Sequence, residues 1–233
     1  GYDAMYSSTD SAGNIAIGYF ALRGGSGGSS RDYNIAIGQD AMRDANPHIS
    51  VAIGYGAGQF LKDGAVGAIH VGHETGRFAS GSGNVFMGYN AGKGGTTSAP
   101  YSTGTNNVAI GQQALTSFTT GKQNTAVGYQ AGHLISSGSY NTVMGYQAGY
   151  SLGGTYNNVM IGDYAGAVSN TINNRHTYVG YAAGRYIDTG LANVAIGYNA
   201  MQSTSATNQN ASYNTAVGYT ALESITDADY NTA

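Results

Sequence analysis

The feature that most constrains the fold of this chain is a short internal repeat. Residues 124–132 read NTAVGYQAG, residues 141–149 read NTVMGYQAG and residues 193–201 read NVAIGYNAM. The central glycine of this motif occurs thirteen times, most often 17 residues apart, at Gly1, Gly18, Gly38, Gly54, Gly72, Gly88, Gly111, Gly128, Gly145, Gly162, Gly180, Gly197 and Gly218. A unit of this length is too short to bury a core alone, so successive copies must stack on one another.

The residues before each glycine alternate between large aliphatic and small side chains, as in Ile15, Ala16 and Ile17. This alternation predicts a short strand with the two types on opposite faces. Glycine then turns the chain, Tyr-x-Ala predicts a second short strand, and a loop rich in Gly, Ser, Thr and Asn closes the coil. The repeat therefore predicts an all-β protein, a parallel β-roll or β-helix solenoid of about thirteen coils that forms one array over residues 1–233.

Stacked copies bring equivalent residues into columns, and one full copy shows the columns as Asn124, Ala126, Val127, Gly128, Tyr129 and Ala131. Asparagine precedes the strand in ten copies, which predicts a ladder of side-chain hydrogen bonds. Tyrosine follows the glycine in nine copies, which predicts a stack of rings. We expect the aliphatic column to point into the coil. We expect the small alanine column to allow close approach of another chain; the alternative is packing against a loop of the same chain.

The charge pattern argues against several classes of partner. Only 9% of the residues are charged, the formal net charge is −3, and all nine Lys and Arg residues lie outside the motif. Scattered basic residues argue against nucleic-acid binding. The absence of cysteine excludes disulfides and thiolate metal sites. No apolar run approaches the ~18 residues of a membrane span.

No catalytic constellation recurs in the sequence, so we expect neither an enzyme nor a cofactor. The acidic residues Asp40, Glu74 and Asp163 fall in different coils, and no Ser/His/Asp set or phosphate-binding loop is present. His70, His73 and Glu74 are the one cluster resembling metal ligands. By register, His70 falls in the alanine column and His73 in the tyrosine column, so we expect no metal site. The alternative is a metal ion on the axis of a trimer.

The strand motifs resemble those of a known family. NIAIG at 14–18, SVAIG at 50–54 and NVAIG at 193–197 resemble the head repeats of trimeric autotransporter adhesins, of which the Yersinia adhesin is the type member. The longer NTAVGYQAG form resembles repeat arrays of phage tail fibres and of large secreted bacterial surface proteins. The resemblance covers the whole chain and implies a left-handed roll, three chains per fibre and an attachment role. The longer repeat and the tyrosine after the glycine favour the fibre arrays.

The function expected from this resemblance is that of a structural or adhesive fibre segment. It would belong to a homotrimeric phage tail fibre or bacterial surface adhesin, lie outside the cell on a virion or cell surface, and hold or contribute to binding of a glycan or protein receptor. The long connections 23–33, 93–105 and 202–213 are the candidate contact loops, since insertions in solenoids often form the binding face. Their candidate residues are Arg23, Arg31, Tyr33, Tyr101 and Tyr213. The tyrosine column is a second candidate, for sugars.

Two other functions remain open. Residues 1–5 and 231–233 are parts of repeats, so we expect the chain to be an excerpt of a longer array, and exposed strand edges at solenoid ends favour a self-assembling filament or sheath. Ice binding by a solenoid needs an outward array of threonines. Thr125, Thr142, Thr177 and Thr215 share the column of Ile15, which we expect to point inward, so ice binding is the less favoured alternative.

Overall fold

The structure, a computed structural model, describes residues 1–6, 11–24, 31–61, 65–98, 101–168, 175–187, 189–203, 210–225 and 228–233. These residues form three-residue strands joined by turns and contain no helix. The chain divides into two compact units, Gly1–Thr120 and Gly121–Ala233. The prediction of an all-β solenoid with a repeat of about 17 residues is confirmed.

The first unit contains six parallel strands, each paired with the next in chain order. They are β1 (Ile15–Ile17), β2 (Ile35–Ile37), β3 (Val51–Ile53), β4 (Ile69–Val71), β5 (Val85–Met87) and β6 (Val108–Ile110). Their register follows the repeat, because Ala16 lies opposite Ala36 and Ala36 opposite Ala52. Equivalent residues therefore form the columns that the sequence predicts.

The second unit repeats this arrangement with six further parallel strands. They are β7 (Thr125–Val127), β8 (Thr142–Met144), β9 (Val159–Ile161), β10 (Thr177–Val179), β11 (Val194–Ile196) and β12 (Thr215–Val217). The thirteen glycines thus accompany twelve strands, since the copy at Gly1 has no residues before its glycine.

The prediction of a second strand at Tyr-x-Ala is wrong, because this segment forms a turn. Gln147 and Gly149, two and four residues after the glycine, have φ values of 52° and 56°, so the backbone cannot extend through them. The N–H groups of these two residues point in opposite directions along the stack of coils. The N–H of Gln147 donates to Tyr129 O of the preceding coil, and that of Gly149 donates to Ala165 O of the following coil, both at 2.9 Å.

The inward and outward faces of the strand are the reverse of what we expected. The central strand residue points into the coil, and Ala36, Ala52 and Ala109 are fully buried there. The aliphatic residues on either side face outward, so Ile17 is 58% exposed and Ile53 is 38% exposed. The expectation that the alanine column contacts another chain is therefore wrong, and the alternative of packing within the same chain is correct.

The narrow interior of the coil explains this reversal, because side chains from several positions of the repeat must share it. The central strand residue and the residue four after the glycine share this space. Ala109 is matched by Leu115, whereas Phe86 is matched by Gly92, where an added Cβ would collide with the Phe86 ring. Tyr178 and Gly184 repeat the second arrangement. A small residue at the strand centre thus leaves room for a large side chain from another position of the same coil.

Some coils fill this space from a third position, seven residues after the glycine. Ala126 and Gly132 are both small, and the buried Ile135 occupies the interior, where its Cδ1 would lie 2.8 Å from a Cβ added to Gly132. Leu61 and Leu152 are buried at the same position of their own coils. Each of these coils has at least one large apolar side chain inside it, and some have two, such as Leu115 with Phe118 and Tyr178 with Ile187.

The predicted asparagine ladder is present, and eight of its ten asparagines are buried, whereas Asn14 and Asn231 at its two ends are partly exposed. Asn141 Nδ2 donates to Asn124 Oδ1 at 3.0 Å and to the carbonyl of Thr155 at 2.9 Å. Asn141 Oδ1 accepts in turn from the backbone N–H and the side-chain Nδ2 of Asn158. Each side chain therefore adds hydrogen bonds between adjacent coils to the backbone bonds of this corner, such as that from the N–H of Thr125 to the carbonyl of Asn141 at 2.8 Å.

Two coils replace the asparagine by another residue with a hydrogen-bond acceptor. Ser50 Oγ accepts from the N–H of Ala68 at 3.2 Å. His176 Nδ1 accepts from the N–H of Asn193 at 3.1 Å, so its imidazole must be neutral to hold this step of the ladder. A third coil has Ala68 at this position, so the column also tolerates one step without a side-chain acceptor.

Candidate interaction surface

The outward residues of the strands form an uncharged face on each unit. In the first unit they are Ile15, Ile17, Ile35, Ile37, Val51, Ile53, Ile69, Val71, Val85, Met87, Val108 and Ile110. In the second unit they are Thr125, Val127, Thr142, Met144, Val159, Ile161, Thr177, Val179, Val194, Ile196, Thr215 and Val217. All of these side chains are partly or largely exposed, and we call each set the strand face of its unit.

The tyrosines after the glycine form the predicted stack at the border of the strand face. The rings of Tyr129 and Tyr146 are 5.0 Å apart and inclined by 13°, and those of Tyr181 and Tyr198 are 5.0 Å apart and inclined by 12°. His73 continues the stack between two tyrosines in the first unit. We call this set the tyrosine column.

The strand face of each unit has the size of an interaction site. Six coils at ~4.8 Å and three residues at ~3.3 Å give roughly 300 Å² of flat surface for the strand face. The largest apolar patch on a typical soluble monomer covers about 300–600 Å² and is often functional. The footprint of each strand face is therefore at the lower end of this range.

One pattern in the sequence could have revealed which strand residues face outward. A phenylalanine, histidine or tyrosine at the strand centre coincides with glycine four residues after the central glycine, as in Phe86 with Gly92 and Tyr178 with Gly184. Two positions that compensate for each other in volume share one interior. The two strand residues that flank the central one, such as Val85 and Met87 beside Phe86, must then point outward.

The structure separates the three residues that resemble metal ligands. His70 lies inside the coil with its ring stacked on Phe86 at 5.1 Å, and neither of its ring nitrogens has a hydrogen-bond partner. Burial lowers the pKa of His70 to about 3, so the ring is neutral. His73 points outward in the tyrosine column, at 5.1 Å from Tyr55 and 5.2 Å from Tyr89. The column assignments of both histidines are as predicted.

Glu74 binds basic residues of its own surface instead of a metal. Its carboxylate accepts from Lys93 Nζ at 2.6 Å and forms an ion pair with Arg77. Burial alone would raise the pKa of Glu74, but the hydrogen bond and charge of Lys93, together with Arg77, hold it below its ordinary value. Among the described residues, no group of three His, Asp or Glu side chains is placed to hold a metal ion.

The other two acidic residues considered as catalytic candidates are engaged separately. Asp40 forms an ion pair with Arg43 at 3.2 Å, and Asp163 Oδ1 accepts from the N–H of Tyr146 at 2.9 Å. They lie in different units and share no partner. The expectation that the chain is not an enzyme stays a prediction.

The two arginines of the first candidate contact loop differ in access. The guanidinium of Arg23 lies 4.5 Å from the centre of the Phe20 ring, on the surface of its coil. Arg31 is only 3% exposed, so it is not placed to contact a receptor, and its role as a contact residue is withdrawn. Residues 25–30 between them lie outside the described residues.

The three tyrosines of the candidate loops also differ. Tyr33 is 66% exposed, and Tyr213, whose ring stacks on Tyr230 at 5.1 Å, is 48% exposed. Tyr101 instead closes its own loop, because its ring stacks on Phe60 at 4.9 Å and lies 6.1 Å from Phe78. Tyr33 and Tyr213 thus remain available to a partner, whereas Tyr101 serves the coil. Residues 99–100 and 204–209 of these loops lie outside the described residues.

In the part of the chain that the structure describes, no helix is long and apolar enough to cross a membrane. Comparison of the chain with protein-family profiles, with curated proteins and with solved structures finds no match in any of the three.

Proposed function

We propose that this chain is a structural and adhesive segment of a homotrimeric fibre, either a phage tail fibre or a bacterial surface adhesin, on the outside of a virion or cell. In this fibre the strand faces of three copies pack together, and the segment holds or contributes to receptor binding. A glycan or a protein of the host surface is the expected receptor. Tyr33 and Tyr213, both exposed, are the loop residues that we retain for this contact.

The observation that carries the proposal is the uncharged strand face of each unit. No outward side chain of the twelve strands is charged, although the chain has 21 charged residues of Lys, Arg, Asp and Glu to place (9 basic and 12 acidic). Protein interfaces differ from the remaining surface by the depletion of charge at their centre. A surface that excludes charge at every coil is suited to burial against another chain.

A second copy of the same chain fits this face better than an unrelated partner. The rows of the face repeat once per coil, at the ~4.8 Å spacing of strands in a sheet. A parallel copy has rows at the same spacing, so side chains can interdigitate level by level, as in a steric zipper. Closed rotational symmetry about an axis along the stack keeps these levels aligned. The number of three copies comes from the resemblance to adhesin and tail-fibre repeats.

The solution mass of the whole chain, measured by light scattering, tests this proposal. We expect a mass near three times 23.8 kDa. Ile196 lies on the strand face and is 40% exposed, so Ile196→Glu should leave the fold intact while placing a charge in the interface. Burial of an unpaired charge costs several kcal/mol, and the variant should therefore be monomeric.

Ser137 provides the matched control, since it is exposed but lies in the connecting loop of its coil, away from the strand face. Ser137→Glu adds the same charge and should keep the mass of the wild type. Circular dichroism establishes that both variants are folded. A wild-type chain that stays monomeric at micromolar concentration, or an Ile196→Glu variant with unchanged mass, would contradict the proposed packing.

The two alternative functions give different results in the same experiment. A filament or sheath would form open-ended polymers whose mass grows with concentration. For ice binding, the original objection is removed, because Thr125 and its equivalents face outward. Only four of the twelve strands carry threonine there, however, and none has a second outward threonine. The regular threonine array is absent, and thermal hysteresis by a monomer would be needed to favour this function.

A further inference from the structure

The tyrosine column places pairs of phenol rings in direct contact on the protein surface. Five pairs of tyrosines from adjacent coils are stacked, with ring centres 5.0–5.7 Å apart and ring planes inclined by 8–16°: Tyr2 with Tyr19, Tyr129 with Tyr146, Tyr181 with Tyr198, Tyr198 with Tyr219, and Tyr213 with Tyr230. The first four pairs belong to the tyrosine column, and the fifth lies at the corner before the asparagine ladder.

These rings are accessible as well as close. Tyr181 is 42% exposed and Tyr198 is 47% exposed, so a reagent can reach both rings of this pair. Their backbones are held by the parallel pairing of β10 with β11, which fixes the two coils one strand spacing apart. The pair is therefore preorganised, and its local concentration far exceeds that of tyrosines meeting by diffusion.

We propose that the stacked tyrosines are sites of oxidative cross-linking, in which dityrosine joins one coil to the next within a chain. The oxidant is a peroxidase acting with hydrogen peroxide. Each phenol gives up one electron and one proton and becomes a phenoxyl radical, whose unpaired electron is shared with the ring carbons beside the hydroxyl-bearing carbon. Two such carbons form the new C–C bond, and each ring regains aromaticity by moving its displaced hydrogen to the phenolic oxygen. Two tyrosines and one hydrogen peroxide thus give one dityrosine and two waters.

The cross-link would act on the fibre as a covalent staple. Tyr181 and Tyr198 are 17 residues apart in sequence, so a bond between them closes a loop of one whole coil. Closing a loop restricts the unfolded chain more than the folded one, which is the argument made for disulfides. This chain has no cysteine, and the tyrosine column offers covalent stabilisation by another residue type. The inference concerns a single chain and goes beyond the proposed trimer.

Tyr181 and Tyr198 allow a direct test by peptide mapping of the whole chain after treatment with peroxidase and hydrogen peroxide. Trypsin separates them, because Arg175 and Arg185 bound a peptide that contains Tyr181, whereas Tyr198 lies in the peptide that follows. We expect these two peptides to be joined, with the loss of two hydrogen atoms for each dityrosine, since the second peptide also contains the Tyr213–Tyr230 pair. The protein should keep the mass of one chain on a denaturing gel, with a yield independent of protein concentration.

Variants and internal controls identify the bond. Tyr198→Phe keeps a stacked ring but removes the phenol, and it should lower the joined peptide at least about tenfold, as loss of a preorganised partner requires. Tyr140 is exposed and has no ring partner among the described residues, so Tyr140→Phe should leave the yield unchanged. Treatment in denaturing urea should abolish the specific product.

Three results would overturn the inference. The first is absence of the joined peptide in the folded wild type. The second is cross-linking that produces chain dimers on the denaturing gel in proportion to concentration. The third is the formation of dityrosine at Tyr33 and Tyr140, which lack stacked partners, in the same yield as at the stacked pairs. If the chain proves monomeric by light scattering but the joined peptide forms, the proposed trimer fails while the cross-linking site stands.

Discussion

Replacement of Asn84 tests the role of the asparagine ladder in the first unit. This side chain is fully buried, and its Nδ2 donates to the carbonyls of Gly81 at 3.0 Å and Gly104 at 2.9 Å. Its Oδ1 accepts from the backbone N–H of Asn107 at 2.9 Å. Asn84→Ala removes the side-chain partner of three backbone groups, each of which belongs to a buried residue.

The loss of stability follows from those three groups. A buried polar group left without its partner costs about 1–3 kcal/mol. Water that enters the space left by the side chain can satisfy part of this loss, so we take the lower part of the range. The free energy of unfolding should therefore fall by about 3–5 kcal/mol. Asn84→Ser should lose less, because Ser50 already holds the same column with its hydroxyl as acceptor.

Urea unfolding followed by circular dichroism measures this change. Gln112→Ala is the matched control, since it removes an amide side chain of the same unit from an exposed position. The control should stay within about 0.5 kcal/mol of the wild type, as most surface substitutions do. An Asn84→Ala variant that unfolds at the same urea concentration as the control would refute the ladder as a source of stability.

Three further predictions follow from the core. Acid should destabilise each unit. In the folded chain burial lowers the pKa of His70 and of His176 to about 3, and unfolding returns it to its ordinary value, so the unfolded chain binds a proton that the folded chain does not. Between pH 8 and pH 4.5 this lowers the free energy of unfolding by roughly 3 kcal/mol per histidine. Urea midpoints should show this dependence, and His70→Phe and His176→Asn should weaken it; an unchanged dependence contradicts it. Phe86→Ala should cost about 3–5 kcal/mol, and adding Gly92→Leu should recover more than half, whereas no recovery would refute the shared interior. Tyr101→Ala should speed proteolysis of residues 93–105 without changing the oligomeric mass; equal proteolysis would contradict its packing role.

The sequence predicted the columns of this fold but not their direction. Repetition alone aligns Asn124 with Asn141 and Tyr129 with Tyr146, so the ladder and the ring stack follow from spacing. Direction depends on the width of the coil, and a strand that alternates Ile, Ala and Ile is ambiguous because either type suits an interior. The hydrophobicity rule favoured isoleucine inside, whereas the strand centre shares its interior with side chains from later positions of the repeat, and alanine there leaves them room.

The candidate contact residues were harder to predict because a loop sequence does not reveal burial. Arg31 and Tyr33 are two residues apart in one polar loop, yet the first is buried and the second exposed. Tyr101 lies in a long connection whose composition is typical of a contact loop. Its ring instead packs on Phe60, because a long connection must cover the edge of the coil that it leaves. Such contacts join residues far apart in sequence, and a single sequence carries no signal for them.

The third residue of each strand gives the strongest reason to look for a partner outside the coil. It contributes nothing to the interior. The first residue of each strand also points outward, and threonine occupies it in four strands, at Thr125, Thr142, Thr177 and Thr215. An outward residue of this sheet can therefore be polar. Threonine has the strand preference of valine, so secondary structure alone would permit it at the third residue as well. All twelve strands nevertheless have isoleucine, valine or methionine there. Exposed apolar side chains repeated at every level add no stability to an isolated coil, but each contributes about 25 cal/mol per Å² when another chain covers it. The outward pattern thus favours the proposed packing between copies, which the Ile196→Glu variant would remove at one level.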